Sequence, residues 1–332
     1  MEVSEGRAAD RMSEWAARTT LEVSQRWRQA FGDYAAELSA WSVEHVAASA
    51  KRLPVIYPFS GADLVTAAGL FPDAPAYMLI AEFKPGQRRS LYEAAAQESA
   101  LKWLGHVHAR NFEFSVTREM RSFFDDVGVL PTLLLVVHLL GSSDGETSRT
   151  RVRRVVTTDA ACVIDFKIGA QKKTLIYVNT FISDVYDWKR LLATPFFKDR
   201  DLGPPFSFLF KAGAHNVARE PWFSDVVLRK GHFLLQDESG LRVNAFDKKW
   251  RLSPFGNFVN FTGSQKLSYR DDATEIRNLY RTHRNNTLPF CFGYCEYSQF
   301  GTLITATKDT PGGGGEKKRQ MEKKTALRLQ ST

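Results

Sequence analysis

Two boxes and one isolated acid in this chain carry residue types and spacings suited to chemistry. Tyr57, Ser60, Gly61 and Asp63 fall in the run Val55-Ile56-Tyr57-Pro58-Phe59-Ser60-Gly61-Ala62-Asp63, where an apolar strand pattern passes through a tight turn into an apolar helix pattern. Glu82 closes the next strand pattern, Ala76 to Phe83, 21 residues after Gly61 (82 − 61). Small residues at the first turn and a carboxylate ending the second strand are how α/β proteins build a crevice for a nucleotide-sized ligand. The second box is Gln236-Asp237-Glu238-Ser239-Gly240, which follows the apolar Phe233-Leu234-Leu235. Gln236, Asp237 and Ser239 either line that crevice or cap a sharp Asx-type turn, and Asp237 with Glu238 has the groups for holding a divalent cation or for acid and base work.

Other chemistry is less well supported by the residues. Ser60 sits on a strand-to-helix turn, as a nucleophile does on an elbow, but the elbow needs glycine on both sides of the serine and residue 58 is proline. The expectation is that Ser60 caps a helix starting at Gly61 or Ala62. His106 and His108 read as a pair in a loop after an Ala-rich helix, and His138 as a hydrogen-bonded core residue; no third metal ligand accompanies them. Cys291 and Cys295 lack the companion pair that a zinc site requires, so no metal is expected.

The elements that must position these groups alternate. Pro54–Ser60 and Ala76–Phe83 read as strands around a helix over Ala62–Leu70. Leu91–Leu104 and Val116–Phe124 read as helices, and Thr132–Leu140 as a buried strand, which together give a parallel-sheet signature. Val152–Val156, Cys162–Ile168 and Thr174–Phe181 read as strands of an antiparallel addition, with Gly169–Lys173 as the hairpin loop. Short helices are expected over Asp187–Ala193 and Phe206–Val217, an apolar run over Val226–Leu235 leads into the second box, and the last strands are Phe290–Tyr294 and Gly301–Thr307. Upstream, Val23, Trp27, Phe31, Tyr34, Leu38 and Trp41 form an apolar stripe at helical spacing.

Composition bounds the class. With 332 residues, 43% apolar and 12% aromatic, the chain can bury a large core. The longest apolar stretch, Val127–Leu140, is interrupted by Gly128, Pro131, Thr132 and His138, which argues against a transmembrane helix. The acids Glu2, Glu5, Asp10 and Glu14 are wrong for a signal peptide, and three cysteines with no pairing pattern suit buried thiols in a reducing compartment, so a cytoplasmic location is expected. Of the net charge of +8, +4 sits from Lys308 onward (seven basic residues against three acids), behind the linker-like Thr310-Pro311 and four glycines. That tail reads as a solvated, disordered extension, with electrostatic contact to an acidic partner, a membrane surface or RNA as the alternative; elsewhere on the chain nucleic acid is not expected.

The boxes Tyr57-Pro58-Phe59-Ser60-Gly61-x-Asp63, Phe71-Pro72-Asp73-Ala74, Glu82-x-x-x-Gly86 and Phe233 to Gly240 resemble a family of uncharacterised, mostly bacterial proteins carrying YPFSGPD and QDDSG boxes. The resemblance spans about residues 52–307, and this chain departs from it at Ala62, where proline is usual, and at Glu238, where a second aspartate is usual. The first βαβ unit also resembles the opening of class I S-adenosylmethionine-dependent methyltransferases; that resemblance implies S-adenosylmethionine as cofactor, with Glu82 on its ribose hydroxyls.

The expected architecture is a Rossmann-like α/β domain over 52–307 with a mainly parallel sheet and an antiparallel addition, a helical extension over 1–51 and a basic tail over 308–332. The expected function is binding of a small polar or nucleotide-like ligand by Tyr57, Ser60, Gly61, Asp63, Glu82, Gln236, Asp237 and Ser239. S-adenosylmethionine-dependent methyl transfer is one alternative, and a non-catalytic interaction protein working through its termini is the other.

Overall fold

The computed structural model describes residues 25–86, 94–109, 123–140, 150–180, 204–211, 221–256, 258, 273–283, 287–293 and 301–309. The helices are α1 (Gln25–His45), α2 (Ala48–Lys51), α3 (Leu64–Leu70), α4 (Ala94–Ala109), α5 (Leu130–Leu139), α6 (Pro221–Lys230) and α7 (Ala273–Arg281). The strands are β1 (Val55–Pro58), β2 (Ala76–Ala81), β3 (Thr150–Thr157), β4 (Ala161–Ile168), β5 (Gln171–Asn179), β6 (Phe206–Phe210), β7 (Gly231–Gln236), β8 (Trp250–Gly256) and β9 (Thr302–Lys308). The basic tail beyond Asp309 and the proposed helix over Asp187–Ala193 lie outside the described residues, as does most of Val116–Phe124.

All nine strands form one sheet in the order β3-β4-β5-β2-β1-β6-β7-β9-β8. The five central strands run parallel, and counted in chain order they stand 3-2-1-4-5, so successive crossovers leave β1 first on one side and then on the other. In open α/β sheets such a reversal is the place where ligand crevices form, beyond the carboxyl ends of the strands. Antiparallel strands flank the parallel core on both sides: β3 and β4 against β5, and β9 and β8 beyond β7.

Burial on both faces explains why the central strands read as continuous apolar runs. Val55 and Tyr57 of β1, Tyr77 and Leu79 of β2 and Leu175 and Tyr177 of β5 face one core layer with Leu38, Trp41, Trp103 and the side chains of α5. Ile56, Met78, Ile80 and Ile176 face the other, with Phe223 and Val227 of α6 and Trp250. Each large side chain so enclosed contributes about 1.5–3 kcal/mol relative to exposure. Four residues of the upstream stripe, Phe31, Tyr34, Leu38 and Trp41, are buried in the first layer, while Val23 lies outside the described residues. Helix α1 meets α3 closely, since a Cβ on Gly69 would stand 2.8 Å from that of Leu38.

Several local expectations are corrected. Thr132–Leu140 is not a strand but most of helix α5, which is buried all round. Periodicity does not separate a short buried strand from a short buried helix, whereas Pro131 in the first turn is a helix-start signal. The helix expected over Phe206–Val217 does not begin there: Phe206–Phe210 is strand β6, whose aromatic residues at 206, 208 and 210 lie along one face of the sheet, Phe206 edge-on to Phe208 and Phe208 stacked on Phe210, while 212–217 lie outside the described residues. Val226–Leu235 divides at Gly231, with helix α6 before it and β7 after it. The hairpin loop shrinks from Gly169–Lys173 to Gly169-Ala170, with Gly169 in the left-handed region at φ 57°. Phe290–Gly293 forms no strand, because Gly293 turns the backbone at φ 81°. His106 and His108 fall within α4, not in a loop after it.

His138, on the all-buried α5, has its imidazole pKa lowered by burial from 6.5 to about 4. A folded-state value below the unfolded one means that the contribution is complete above pH 6.5 and is lost as pH falls towards about 4. The loss amounts to about 3 kcal/mol. Denaturant unfolding across that interval should show a shallower acid loss for His138→Leu than for the wild-type chain; parallel curves would reject the assignment.

Candidate functional site

The carboxyl edge of the parallel strands receives every sequence-derived candidate. Strand β1 ends at Pro58, and the chain then turns through Phe59 at φ 59° and Gly61 at φ 55°. Phe59 is the one non-glycine residue with positive φ among the described residues. The turn is tied to the neighbouring strand by the Ser60 N–H, which donates to the Ile80 carbonyl at 3.2 Å. Ser60 itself is buried, and its carbonyl accepts from the Asp63 N–H at 3.0 Å.

The expected capping role moves from Ser60 to Asp63. Helix α3 starts at Leu64, and Asp63 Oδ1 accepts from the Thr66 N–H at 3.1 Å. Its other oxygen, Oδ2, accepts from the Tyr57 hydroxyl at 2.9 Å and from Lys211 Nζ at 3.1 Å. Lys211 stands one residue beyond the end of β6, across the reversal point from β1, and also donates to Thr66 Oγ1 at 3.1 Å. Tyr34 of α1 closes the cluster, its ring 5.9 Å from the ammonium. The Lys211 and Asp63 side chains are 2% and 0% exposed, so this is a fully enclosed ion pair.

Burial acts to lower the Lys211 pKa, but Asp63 and Tyr34 outweigh it and hold it above the ordinary lysine value. The Tyr57 phenol is pushed well up, first by burial and then by the Asp63 charge. Tyr57 therefore acts as a hydrogen-bond donor, and the network is a closed set of satisfied charges. Sequence reasoning missed Lys211, because it sits 148 residues from its partner at the end of a segment whose strand character was not recognised.

Glu82 follows β2 on the same edge, and it alone of the eight candidates is half-exposed. Its backbone is fixed by Asn179 Nδ2, which donates to the Glu82 carbonyl at 3.1 Å. The second box forms a turn at the end of β7. Gln236 is buried and brackets the turn through two bonds to Leu241, as donor from Nε2 at 2.9 Å and as acceptor at Oε1 at 2.8 Å. Asp237 is fully buried, with Oδ1 accepting from the Ser239 N–H at 2.8 Å and from the Ser239 hydroxyl at 2.5 Å, which is an Asx-type turn. The backbone of Gly293 approaches so closely that a Cβ there would stand 2.9 Å from Asp237 Oδ2. Thr302 Oγ1 donates to Glu238 Oε2.

Among the described residues no group of three or more histidine, cysteine, aspartate or glutamate side chains is arranged to hold a metal ion. Cys162 is a buried free thiol whose pKa is pushed up to about 12 by burial. Cys291 is disulfide-bonded, which corrects the expectation that all three cysteines are thiols. No described helix is long and apolar enough to cross a membrane.

No family model matches the chain, and no curated protein matches it. Among solved structures it is similar to that described as "Structure of the plantazolicin methyltransferase BpumL in complex with SAH", at 7% identity and a TM-score of 0.30, over 92% of this chain and 100% of that one. A likeness of that degree fixes neither activity nor ligand.

Removing one partner of the enclosed pair should cost far more than removing both. Lys211→Met is expected to lower unfolding free energy by about 3–5 kcal/mol, because it strands a buried carboxylate. Adding Asp63→Asn, which keeps a capping side chain, should recover most of that loss. A double-mutant cycle in denaturant checks this; simply additive costs would show the two groups are not coupled.

Proposed function

We propose that this chain binds a small polar, nucleotide-like ligand at the carboxyl edge of its parallel strands, over the Phe59–Gly61 turn and beside Glu82. The observation that carries the reading is Phe59, a bulky residue held in the left-handed region at the end of the central strand. Such backbone costs about 1–3 kcal/mol and persists where surrounding structure holds it for a purpose. The turn lies at the reversal of strand order, where open α/β sheets take their ligands. In this reading Phe59 and Glu82 meet the ligand, while the Asp63–Lys211 pair with Tyr57 holds the turn rigid from beneath. Gln236, Asp237 and Ser239 shape the wall on the β7 side.

S-adenosylmethionine-dependent methyl transfer is the second reading. What favours it is the strand order: a methyltransferase-like sheet accommodates the 3-2-1-4-5 parallel core with a reversed strand, β9, beyond it. In that case Glu82 has the position to accept hydrogen bonds from ribose hydroxyls.

Calorimetry with S-adenosylmethionine, S-adenosylhomocysteine, adenosine nucleotides and dinucleotides separates the two. A site of this kind should bind at least one of these, and Glu82→Gln should weaken binding about tenfold with no change in thermal midpoint, since two charge-assisted bonds are reduced. Selective binding of S-adenosylmethionine favours methyl transfer. If no member of the panel binds, or Glu82→Gln binds unchanged, the crevice is not the site. Asp237→Asn adds a second reading of the β7 wall: lower stability with unchanged affinity would make the Asx turn its whole role.

A further inference from the structure

The antiparallel extension carries an arrangement of charge at the opposite end of the sheet. Arg151 of β3 registers with Lys167 of β4, and Lys167 registers with Lys172 of β5, so three cations stand in one row across three adjacent strands. Neighbouring strands are about 4.8 Å apart. Like charges directly opposite one another destabilise a sheet, and this row has two such pairs. The next row on the same face contains Asp165, opposite Arg154 and Thr174, with Thr174 Oγ1 donating to Asp165 Oδ1 at 2.8 Å. The register slips between Val152 and Arg154, which leaves Arg153 bulged beside that row.

A cavity of about 420 Å³ lies on these strands, lined by Arg153, Asp165, Lys167, Lys172 and Thr174 among others. Among the described residues, none of Arg151, Arg153, Lys167 and Lys172 forms an ion pair. Blunting of an exposed sheet edge accounts for the arginines of β3, which is the outermost strand. It does not account for Lys167, which is paired on both sides, with Arg151 of β3 and Lys172 of β5. The turn end of this hairpin projects past the amino end of β2, whose pairing with β5 begins only at Thr174. The cationic row is therefore remote from the carboxyl-edge site.

We propose that this groove binds an oligophosphate chain, with Arg153, Lys167 and Lys172 on its phosphate oxygens. Two features choose that chemistry. Successive rows along a strand are about 6.8 Å apart and rows across strands closer, so several cations reach one chain of linked phosphates at once. Phe166, the aromatic residue of the lining, is 1% exposed and offers no face for stacking, so recognition is of phosphate and not of a base. Bridging by the anion also relieves the like-charge row.

The test is calorimetric titration of the full chain with tripolyphosphate, with a short single-stranded oligouridylate and with anionic phospholipid vesicles, at about 50 mM and about 200 mM salt. The wild-type chain should bind tripolyphosphate more tightly at the lower salt. Lys167→Gln/Lys172→Gln should weaken this at least about tenfold. Its thermal midpoint without ligand should be unchanged or higher, because the pair removed is repulsive. Loss of oligouridylate binding in the same variant, with tripolyphosphate competing, would identify a polynucleotide backbone as the source of the phosphates. Equal affinity of variant and wild type, failure of both phosphate ligands to bind, or binding to vesicles alone overturns the proposal.

Discussion

The enclosed contact between Asp63 and Lys211 is the constraint on which the carboxyl edge depends. One carboxylate caps helix α3, receives the phenol of β1 and neutralises the ammonium at the end of β6. Four elements are thereby fixed together, since Tyr34 of α1 faces the same cation. Burying two charges costs several kcal/mol each, so the pair is poor evidence for added stability. Its effect is positional: the pair ties the end of β6 to the turn that follows β1.

Several other polar groups are buried on the same terms, each with its partners supplied by nearby chain. Lys173 donates to the Pro72 and Ala74 carbonyls at 2.6 and 3.0 Å, fastening β5 to the loop after α3. Tyr77 and Tyr177 reach the carbonyls of Phe71 and Phe83, at 2.8 and 2.9 Å. Ser207 Oγ donates to the Ala50 carbonyl at 2.8 Å, joining β6 to α2. These bonds close the loops around the parallel strands, and each would leave a desolvated group costing about 1–3 kcal/mol if broken from one side.

The sequence carried the architecture where periodicity was strong. The hairpin strands β3 to β5 and the upstream amphipathic helix are legible because alternating or helical spacing survives for several residues, and β1 and β2 because their apolar runs are short and bounded by turn residues. It failed where burial erases the period, as in Leu130–Leu139, whose side chains are all enclosed. Phe206–Phe210 shows the opposite failure, since its aromatic alternation was overlooked and Lys211 was lost with it. Tyr57, Ser60, Gly61 and Asp63 do converge, yet the division of labour among them was not legible. Asp63 caps the helix in place of Ser60 because its own carboxylate reaches the Thr66 N–H. The second box was recognised as polar, but burial of Asp237 depends on Gly293, which approaches it from a distant part of the chain.

Strand order has a consequence for synthesis of the chain. Strand β1 is made early, but one of its two neighbours, β6, pairs with it at Val55↔Ser207 and Ile56↔Phe208. At ribosomal rates of about 5–20 residues per second, β1 waits on the order of ten seconds or more for that edge to be covered. During that interval Val55 and Ile56 of β1 lack their β6 partners, Ser207 and Phe208, on one side. The central strand β1 thus precedes every other strand in chain order, yet its second edge is covered only once the sixth strand, β6, has been made.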